Sequence, residues 1–261
     1  MRILLTNDDG IHAPGIEALY DAIRTLGDVT VIAPADVQSA SGHGITFHKP
    51  LMVEEVAPND RMRGYAVAGR PADCVKVGLR RIWPDLFGEG ARPDVVISGM
   101  NSGANVGINV IYSGTVAAAV EAAFLGVPAI AVSLHMGGGV PHWRRAAEIA
   151  RHAIDRVLEH PIDAHSVINV NVPRTHAADA PVPPMRVVRM NTAAGVDGYE
   201  RRVSPAGQTY YWPNGNGMEF FHTKEGSDVE ALNDRFLTVT PLHYDLTDDA
   251  RLGQWRARLG G

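Results

Sequence analysis

Short apolar runs alternate with stretches of helical periodicity along the first two thirds of the chain. The apolar runs predict buried strands at 3–6, 29–33, 94–98, 129–134 and 167–172. The periodic stretches predict helices at 14–26, 71–83, 116–125 and 143–158. Continuous apolar strands separated by helices are typical of a parallel sheet covered on both faces. The pattern therefore predicts an α/β fold with a doubly wound, mostly parallel sheet, and two less regular strands at 45–56 and 65–68.

The alternation of strands and helices stops near residue 173, where prolines interrupt the chain. We therefore predict a catalytic domain at 1–172 and a C-terminal extension at 173–261. Within the extension, residues 199–212 resemble an aromatic β-hairpin. A strand is expected at 236–240 and a terminal helix at 248–259. A hairpin with little core of its own is marginally stable alone, so it predicts packing against another copy in a homodimer or homotetramer.

The composition and net charge of the chain exclude some classes of function. Of 261 residues, 45% are hydrophobic and 20% are charged, so the chain can form a real core and is not of the disordered class. The net charge of −5 offers no electrostatic footprint for nucleic-acid polymers. Cys74 is the only cysteine and no signal peptide is apparent, which together predict a cytoplasmic location.

One apolar stretch, residues 115–134, approaches the length of a membrane-spanning helix. Glu121 lies within it, and Gly126-Val127-Pro128 divides it. A buried helix followed by a buried strand accounts for it better, so no membrane association is expected.

The first strand ends abruptly in Asn7-Asp8-Asp9-Gly10. These residue types favour a turn. Two adjacent carboxylates at the end of a buried strand also repel one another, and burial penalises each ionised form. A bound cation would relieve both effects. Because ligands of doubly wound sheets bind outside the carboxyl ends of the strands, Asp8 and Asp9 are candidate metal ligands as well as turn residues.

Two more polar loops follow strands at the same edge of the predicted sheet. One carries Ser39 and the other carries Asn101. With Asp8 and Asp9 they form an all-oxygen set that suits one Mg²⁺ or Mn²⁺ better than zinc. The helix start at Ser113-Gly114-Thr115 is a candidate phosphate site, because free N–H groups and the helix dipole favour anions there. An ordinary N-cap by Ser113 explains the same residues without a ligand.

Several stretches together resemble the SurE survival-protein family of nucleotidases. They are Leu4-Leu5-Thr6-Asn7-Asp8-Asp9-Gly10-Ile11, Gln38-Ser39-Ala40-Ser41-Gly42-His43, Arg70-Pro71-Ala72-Asp73-Cys74-Val75, Ser98-Gly99-Met100-Asn101-Ser102-Gly103-Ala104-Asn105 and Tyr112-Ser113-Gly114-Thr115-Val116. Independent motifs in one order are far more specific than any single glycine motif. They cover about the first 135 residues, and Thr238-Val239-Thr240-Pro241-Leu242 resembles the family's late strand.

This resemblance implies a Rossmann-like domain, a swapped C-terminal extension and metal-dependent hydrolysis of nucleoside monophosphates, with the choice between 5′ and 3′ phosphates left open. The family's metal ligands fall on Asp8, Asp9, Ser39 and Asn101. Its phosphate contacts fall on Asn101, Gly114 and Thr115, with Ser113 adjoining. The chain departs from the family at Arg70, where a small residue or Thr is usual, and at Ile108-Asn109, where many members carry an acidic pair. Either departure affects which base or sugar is accepted.

The expected mechanism leaves two routes open. In one, a metal-polarised water attacks phosphorus while Asp8 or Asp9 orients or deprotonates it. In the other, an aspartate forms a phosphoenzyme. Two further readings of the chain are a nucleotide- or metal-binding regulatory module without turnover, and a structural oligomer organised by the hairpin.

The remaining residues whose side chains could take part in catalysis or ligand binding are expected to have structural or surface roles. His43 is a candidate general acid, although a structural hydrogen bond is the expected role. Cys74 is expected to be a small buried hydrophobe. His48 and the pair Arg80-Arg81 are expected on the surface. Tyr210, Tyr211 and Trp212 can stack on a base, but a subunit contact explains them more simply.

Overall fold

The computed structural model describes residues 1–214 and 217–260. A nine-stranded sheet forms its centre, and a separate pair of strands lies outside it. The strands are β1 Arg2–Thr6, β2 Asp28–Pro34, β3 Val53–Val56, β4 Gly64–Val67, β5 Val95–Ser102, β6 Ala129–Leu134, β7 Val167–Val172, β8 Met185–Val187, β9 Tyr199–Val203, β10 Thr209–Pro213 and β11 Leu237–Leu242. The helices are α1 Pro14–Ile23, α2 Pro71–Val77, α3 Trp83–Phe87, α4 Gly114–Phe124, α5 Trp143–Leu158, α6 Asp228–Asn233 and α7 Asp249–Leu259.

The sheet order is β3-β4-β2-β1-β5-β6-β7-β11-β8. Strands β4, β2, β1, β5, β6 and β7 are mutually parallel. The side chains of β1 alternate between two cores, since Ile3 and Leu5 pack with α1 and α5 while Leu4 packs with α2 and α4. Apolar residues at successive strand positions thus fill both faces. The predicted doubly wound α/β fold is confirmed.

Strand β1 lies between β2 and β5, so the chain first builds the sheet to one side and then returns to the other. This reversal leaves a crevice beyond the carboxyl ends of β1 and β5, where doubly wound sheets bind ligands. The loops after β1, β2 and β5 all open at that edge, as the sequence predicts.

The expected strand at 45–56 is wrong for its first half, since only Val53–Val56 is β structure. The first half of this segment bonds to a side chain instead of to a neighbouring strand. Asp73, at the start of α2, accepts the backbone N–H of Thr46 at 2.8 Å and its hydroxyl at 2.7 Å. Pro50, which has no N–H, further disfavours a sheet ladder in this segment. The helix predicted at 71–83 extends to Phe87 through a π-helical turn at Gly78–Ile82.

The extension contributes two strands to the main sheet. β11 pairs antiparallel with β7, and β8 pairs parallel with β11. The hairpin of β9 and β10 forms as predicted and is exposed along both strands. The short helix α6, which the sequence pattern did not predict, also belongs to the extension. The division at residue 173 stays a prediction.

Within the described part of the chain, no helix combines the length and apolar character needed to cross a membrane. The apolar stretch at 115–134 divides into helix α4 and strand β6, as expected.

Candidate active site

The turn after β1 directs its two carboxylates to different sides of the crevice. Asn7 holds the turn, because its side-chain amide donates to the carbonyl of Gly10 at 2.8 Å. Asp8 accepts a hydrogen bond from the Thr115 hydroxyl at 2.5 Å. Asp9 accepts one from the backbone N–H of Ser102 at 2.8 Å. The two carboxylates therefore connect the end of β1 to the first turn of α4, through Asp8, and to the end of β5, through Asp9.

Gly114 permits Asp8 to lie directly against the start of α4. A Cβ atom at Gly114 would lie 2.9 Å from Asp8 Cβ and 3.0 Å from its Oδ2 atom. The hydroxyl of Ser113 caps the helix by accepting the N–H of Val116 at 3.1 Å. The N-cap interpretation of Ser113 is thus confirmed, and its O–H remains able to donate to an anion.

Asn101 reaches the crevice because strand β5 changes register against β6 between Ser98 and Asn101. The irregular step includes a cis peptide between Gly99 and Met100, and Gly99 has a φ of +142°. A Cβ at Gly99 would lie 2.2 Å from the carbonyl oxygen of Val132, so only glycine fits. The Asn101 side-chain nitrogen donates to Gly103 at 2.7 Å, which leaves its oxygen as the free ligand atom.

A buried asparagine network holds the loop that follows Asn101. Asn105 donates its backbone N–H to Asn171 at 2.8 Å and its side-chain amide to Ser133 at 2.8 Å. The Asn105 carbonyl accepts the side-chain amides of Asn169 at 2.8 Å and Asn171 at 3.1 Å. Strands β6 and β7 thereby fix a wall of the crevice that has no regular structure of its own.

Ser39 lies in a loop that is tethered to the site on both sides of it. The N–H of Gln38 donates to the Asp8 carbonyl at 2.8 Å, and the N–H of Gly42 donates to the Tyr112 carbonyl at 3.0 Å. Ser39 itself is exposed. The structure thus brings the Ser39 loop, Asp8 and the residue before the α4 cap together.

His43 closes the same loop onto α4. Its Nε2 atom lies 2.8 Å from Oε2 of Glu121, which is buried, and its ring stacks on Phe124. Lys76 of α2 approaches the other Glu121 oxygen at 3.3 Å. The expected structural hydrogen bond of His43 is confirmed. From the sequence, Glu121 served only to argue against a membrane-spanning helix. A single carboxylate in a buried helix is nevertheless a sign that a cationic or hydrogen-bonding group lies beside it.

Electrostatics at Asp8 favour a bound cation. Burial raises the pKa of Asp8 to about 6, and the charge of Asp9 adds to the rise, although the hydrogen bond from Thr115 opposes it. A divalent ion beside these two carboxylates would offset both costs. The four oxygen donors of Asp8, Asp9, Ser39 and Asn101 fit a hard ion such as Mg²⁺ or Mn²⁺. Across the described residues, no group of three or more His, Cys, Asp or Glu side chains offers an alternative metal site.

The other candidates lie as expected. Cys74 is fully buried, and burial raises the pKa of its thiol well above the ordinary value, so it is an inert core residue. His48, Arg80 and Arg81 are exposed. The two departures noted in the sequence flank the site: the Arg70 guanidinium packs over Gly44, and Asn109 donates to Gly217 of the extension.

Comparison with known proteins agrees with this arrangement. The family described as "Survival protein SurE" matches residues 3–195. The 5′-nucleotidase SurE of Pelobacter propionicus is 44% identical over 252 residues, covering 97% of this chain and 97% of that protein. The 5′-nucleotidase SurE of Rhodopirellula baltica is 42% identical over 257 residues, with 98% of each chain covered.

The crystal structure of the SurE protein from Aquifex aeolicus superposes with a TM-score of 0.83 at 33% identity, covering 99% of this chain and all of that one. The match extends through the C-terminal extension, where the sequence motifs are weakest. Because both the family match and these relatives span most of the chain, the protein belongs to the SurE family.

Proposed function

We propose that the chain is a metal-dependent phosphomonoesterase that hydrolyses nucleoside 5′-monophosphates, and also 3′-monophosphates, to a nucleoside and phosphate. The observation that carries this proposal is the placement of Asp8 between Asp9 and the first turn of α4, with Thr115 bonded to its carboxylate. Such a site can hold a cation and a phosphate side by side. The names of the relatives, 5′-nucleotidase SurE, support the nucleotide substrate.

Asp8, Asp9, Ser39 and Asn101 would hold one Mg²⁺ or Mn²⁺ per subunit. When bound, the ion polarises a phosphoryl oxygen and lowers the pKa of a coordinated water. The chain itself supplies the anion-binding groups. The N–H groups at the start of α4, the Ser113 and Thr115 hydroxyls and the Asn101 side chain neutralise the charge that develops on the equatorial oxygens.

Hydrolysis forms a bond from a water oxygen to phosphorus and breaks the ester P–O bond, and the leaving alcohol takes up a proton. One oxygen of Asp9 is held by the Ser102 N–H, which leaves the other to orient the water or accept its proton. The competing route has an aspartate as nucleophile. Isolation of a phosphoenzyme after brief exposure to labelled substrate would establish that route, and its absence under rapid quenching supports direct attack by water.

The decisive experiment is an assay of phosphate release from adenosine 5′-monophosphate with Mn²⁺ or Mg²⁺, repeated with a chelator. We expect activity only with the metal. Asp8→Asn should lower kcat by at least about a hundredfold, a typical loss when a group that stabilises the transition state is removed. Asp21→Asn, which changes a partly exposed aspartate on α1 that pairs with Arg61, is the matched control.

Metal-independent turnover or an active Asp8→Asn variant would contradict the assignment. The alternative, a nucleotide- or metal-binding module without turnover, predicts nucleotide binding but no phosphate release under any metal. The doubled carboxylate favours the enzyme, since phosphate binding alone needs no pair of negative charges. The proposal includes a cytoplasmic location, for which the single cysteine is the support.

We also propose that the protein is a homodimer or homotetramer assembled through the hairpin of β9 and β10. The exposed aromatic side chains of these strands support this assembly. The same exposure makes base stacking by Tyr210, Tyr211 or Trp212 the weaker explanation, because a hairpin without a partner is marginally stable.

A further inference from the structure

A cavity of about 550 Å³ opens beside the candidate metal site, on the far side of Ser102. Ser102 donates its backbone N–H to Asp9 at 2.8 Å and also lines the cavity. Ser102 therefore belongs to both sites. The opposite wall comes from the segment after β6 and from Arg174 and Met218 of the extension.

The lining of this cavity carries a positive charge and no carboxylate. Its lining includes Arg174 but neither Asp nor Glu. Arg235 does not line the cavity, but its guanidinium donates to the Arg174 carbonyl at 3.0 Å. In residues 1–214 and 217–260, no carboxylate forms an ion pair with either arginine. Arginines that form no ion pair are a suitable environment for an anionic ligand.

The backbone after β6 is shaped to receive the Arg174 side chain. Gly137 has a φ of +60°, and a Cβ atom there would lie 2.3 Å from Cδ and 2.7 Å from Nε of Arg174. The aliphatic part of Arg174 thus lies against a backbone that only glycine allows to come so close. Arg174 is an exposed residue whose stem is nevertheless held against this backbone.

His135 adds a polar atom without a partner. It lines the same cavity and is only 6% exposed, and its Nδ1 atom is buried and makes no hydrogen bond in the described part of the chain. Burial lowers the pKa of His135, and the charges of Arg174 and Arg235 lower it further, which favours the neutral ring. A buried ring nitrogen beside two arginines lacks the partner that such groups normally have.

We propose that this cavity binds a second phosphoryl group of the substrate, so that nucleoside 3′,5′-bisphosphates are preferred over the corresponding 5′-monophosphates. The inference rests on the proposed function, because the scissile ester is placed at Asp8 and Asp9. Arg174 can hold the second phosphate through two parallel N–H donors, and His135 supplies a further hydrogen bond.

The reaction is the same hydrolysis. A water oxygen bonds to the 5′ phosphorus, the P–O5′ bond breaks, and the alcohol takes up the proton. The phosphate in the cavity is unchanged, so the first products are inorganic phosphate and the nucleoside 3′-monophosphate.

The test compares initial rates of phosphate release from adenosine 3′,5′-bisphosphate and adenosine 5′-monophosphate, with Mn²⁺ present. The affinity of each nucleotide is also measured by calorimetry. For the wild type we expect a KM and a Kd about tenfold lower for the bisphosphate, the effect of one charge-assisted pair of hydrogen bonds. Arg174→Gln should bring both ratios close to one. Arg174→Lys keeps the charge but loses the paired donors, so it should retain part of the preference.

Arg144→Gln, which changes an exposed arginine on α5 that does not line the cavity, serves as the control and should keep the wild-type ratios. Equal constants for the two nucleotides in the wild type, or a preference that survives in Arg174→Gln, would overturn the proposal. If neither nucleotide releases phosphate, the hydrolytic function fails. The calorimetric ratio and its dependence on Arg174 then still decide whether the cavity binds the second phosphate.

Discussion

At Gly114 the candidate site depends on the absence of a side chain. The first residue of α4 touches Asp8 so closely that a methyl group would contact the carboxylate and also Pro71 Cγ, at 3.1 Å. Helix propensity alone would favour alanine at this position. Glycine at this position therefore allows Asp8 to lie against the helix, at a cost in helix propensity.

We predict that Gly114→Ala lowers kcat/KM for nucleoside monophosphates by about a hundredfold, because misplacing a reacting group by about 1 Å has an effect of that size. The variant should still fold, because the helix propensity of alanine offsets part of the strain from its contacts with Asp8 and Pro71. Gly253→Ala is a matched control, because a Cβ at Gly253 in α7 meets no atom within 4 Å. Full activity of Gly114→Ala would show that Asp8 does not need its present position.

Individual site residues differ in how far the sequence reveals them. Asp8 and Asn101 come two and three residues after the predicted strands 3–6 and 94–98, so the parallel-sheet topology places them at one edge. Glu121, His135 and Arg174 were missed as site residues, because each gains its role from a partner distant in sequence. Glu121 meets His43 across 78 positions, and no local period encodes that contact.

Among the elements, helix α4 connects the phosphate end of the site with the loop that carries Ser39. Its first turn contacts Asp8, and Glu121, two turns later, holds His43 of the loop. Burial alone would raise the pKa of Glu121, but the hydrogen bond from His43 and the charge of Lys76 outweigh it, so the pKa lies below the ordinary value. The ionised carboxylate thus stabilises the fold.

We predict that Glu121→Gln lowers the free energy of unfolding by about 1–3 kcal/mol at pH 7, between the values for exposed and for buried ion pairs. Because the folded-state pKa is depressed, this stabilisation is present above the unfolded-state value of about 4.3 and is lost as the pH falls through the folded-state pKa. Urea unfolding at neutral and acidic pH should therefore show the difference between variant and wild type shrinking in acid.

Glu89→Gln, at an exposed turn residue, should show no such pH-dependent difference. A stability gap between Glu121→Gln and wild type that persists unchanged in acid would mean that packing of the side chain, rather than its charge, stabilises α4.

Elements with strong periodicity were predictable, and those defined by one long-range contact were not. Strands β1, β5 and β6 are apolar runs whose burial follows from composition. Residues 45–52 have strand-like composition but are held by Asp73 instead. Helix α6 has six residues, too few for a helical period to emerge, and Asp228 secures it by accepting N–H groups from Gly107 and Asn191, both at 2.8 Å.

At the scale of the whole molecule, the hairpin is the part least explained by one chain. Tyr199, Tyr211 and Trp212 are 70%, 61% and 57% exposed. Aromatic side chains in this number on one hairpin are typical of an interface between protein chains. Strand β8 before it and strand β11 after it both belong to the main sheet, so the hairpin projects from a stable base.

We predict that the wild type is a dimer or tetramer in solution. Light scattering should then give two or four times the mass of one 28.1 kDa chain. The double variant Tyr211→Ser/Trp212→Ser should shift toward the monomer, because large aromatic side chains dominate the binding energy of interfaces. Leu86→Ser, at an exposed leucine of α3, is the control and should leave the mass unchanged. A monomeric wild type, or a double variant that keeps the wild-type mass, would argue against the hairpin as the interface.

The asparagine network around Asn105 constrains how such an enzyme can diversify. Substitutions in the wall that it anchors break several buried hydrogen bonds at once, so few of them leave a foldable protein. Neither the Ser39 loop nor the glycine-rich segment after β6 belongs to this hydrogen-bond network. New substrate ranges, whether in natural lineages or in laboratory libraries, are therefore expected to accumulate changes on these two sides while the Asn105 wall stays constant.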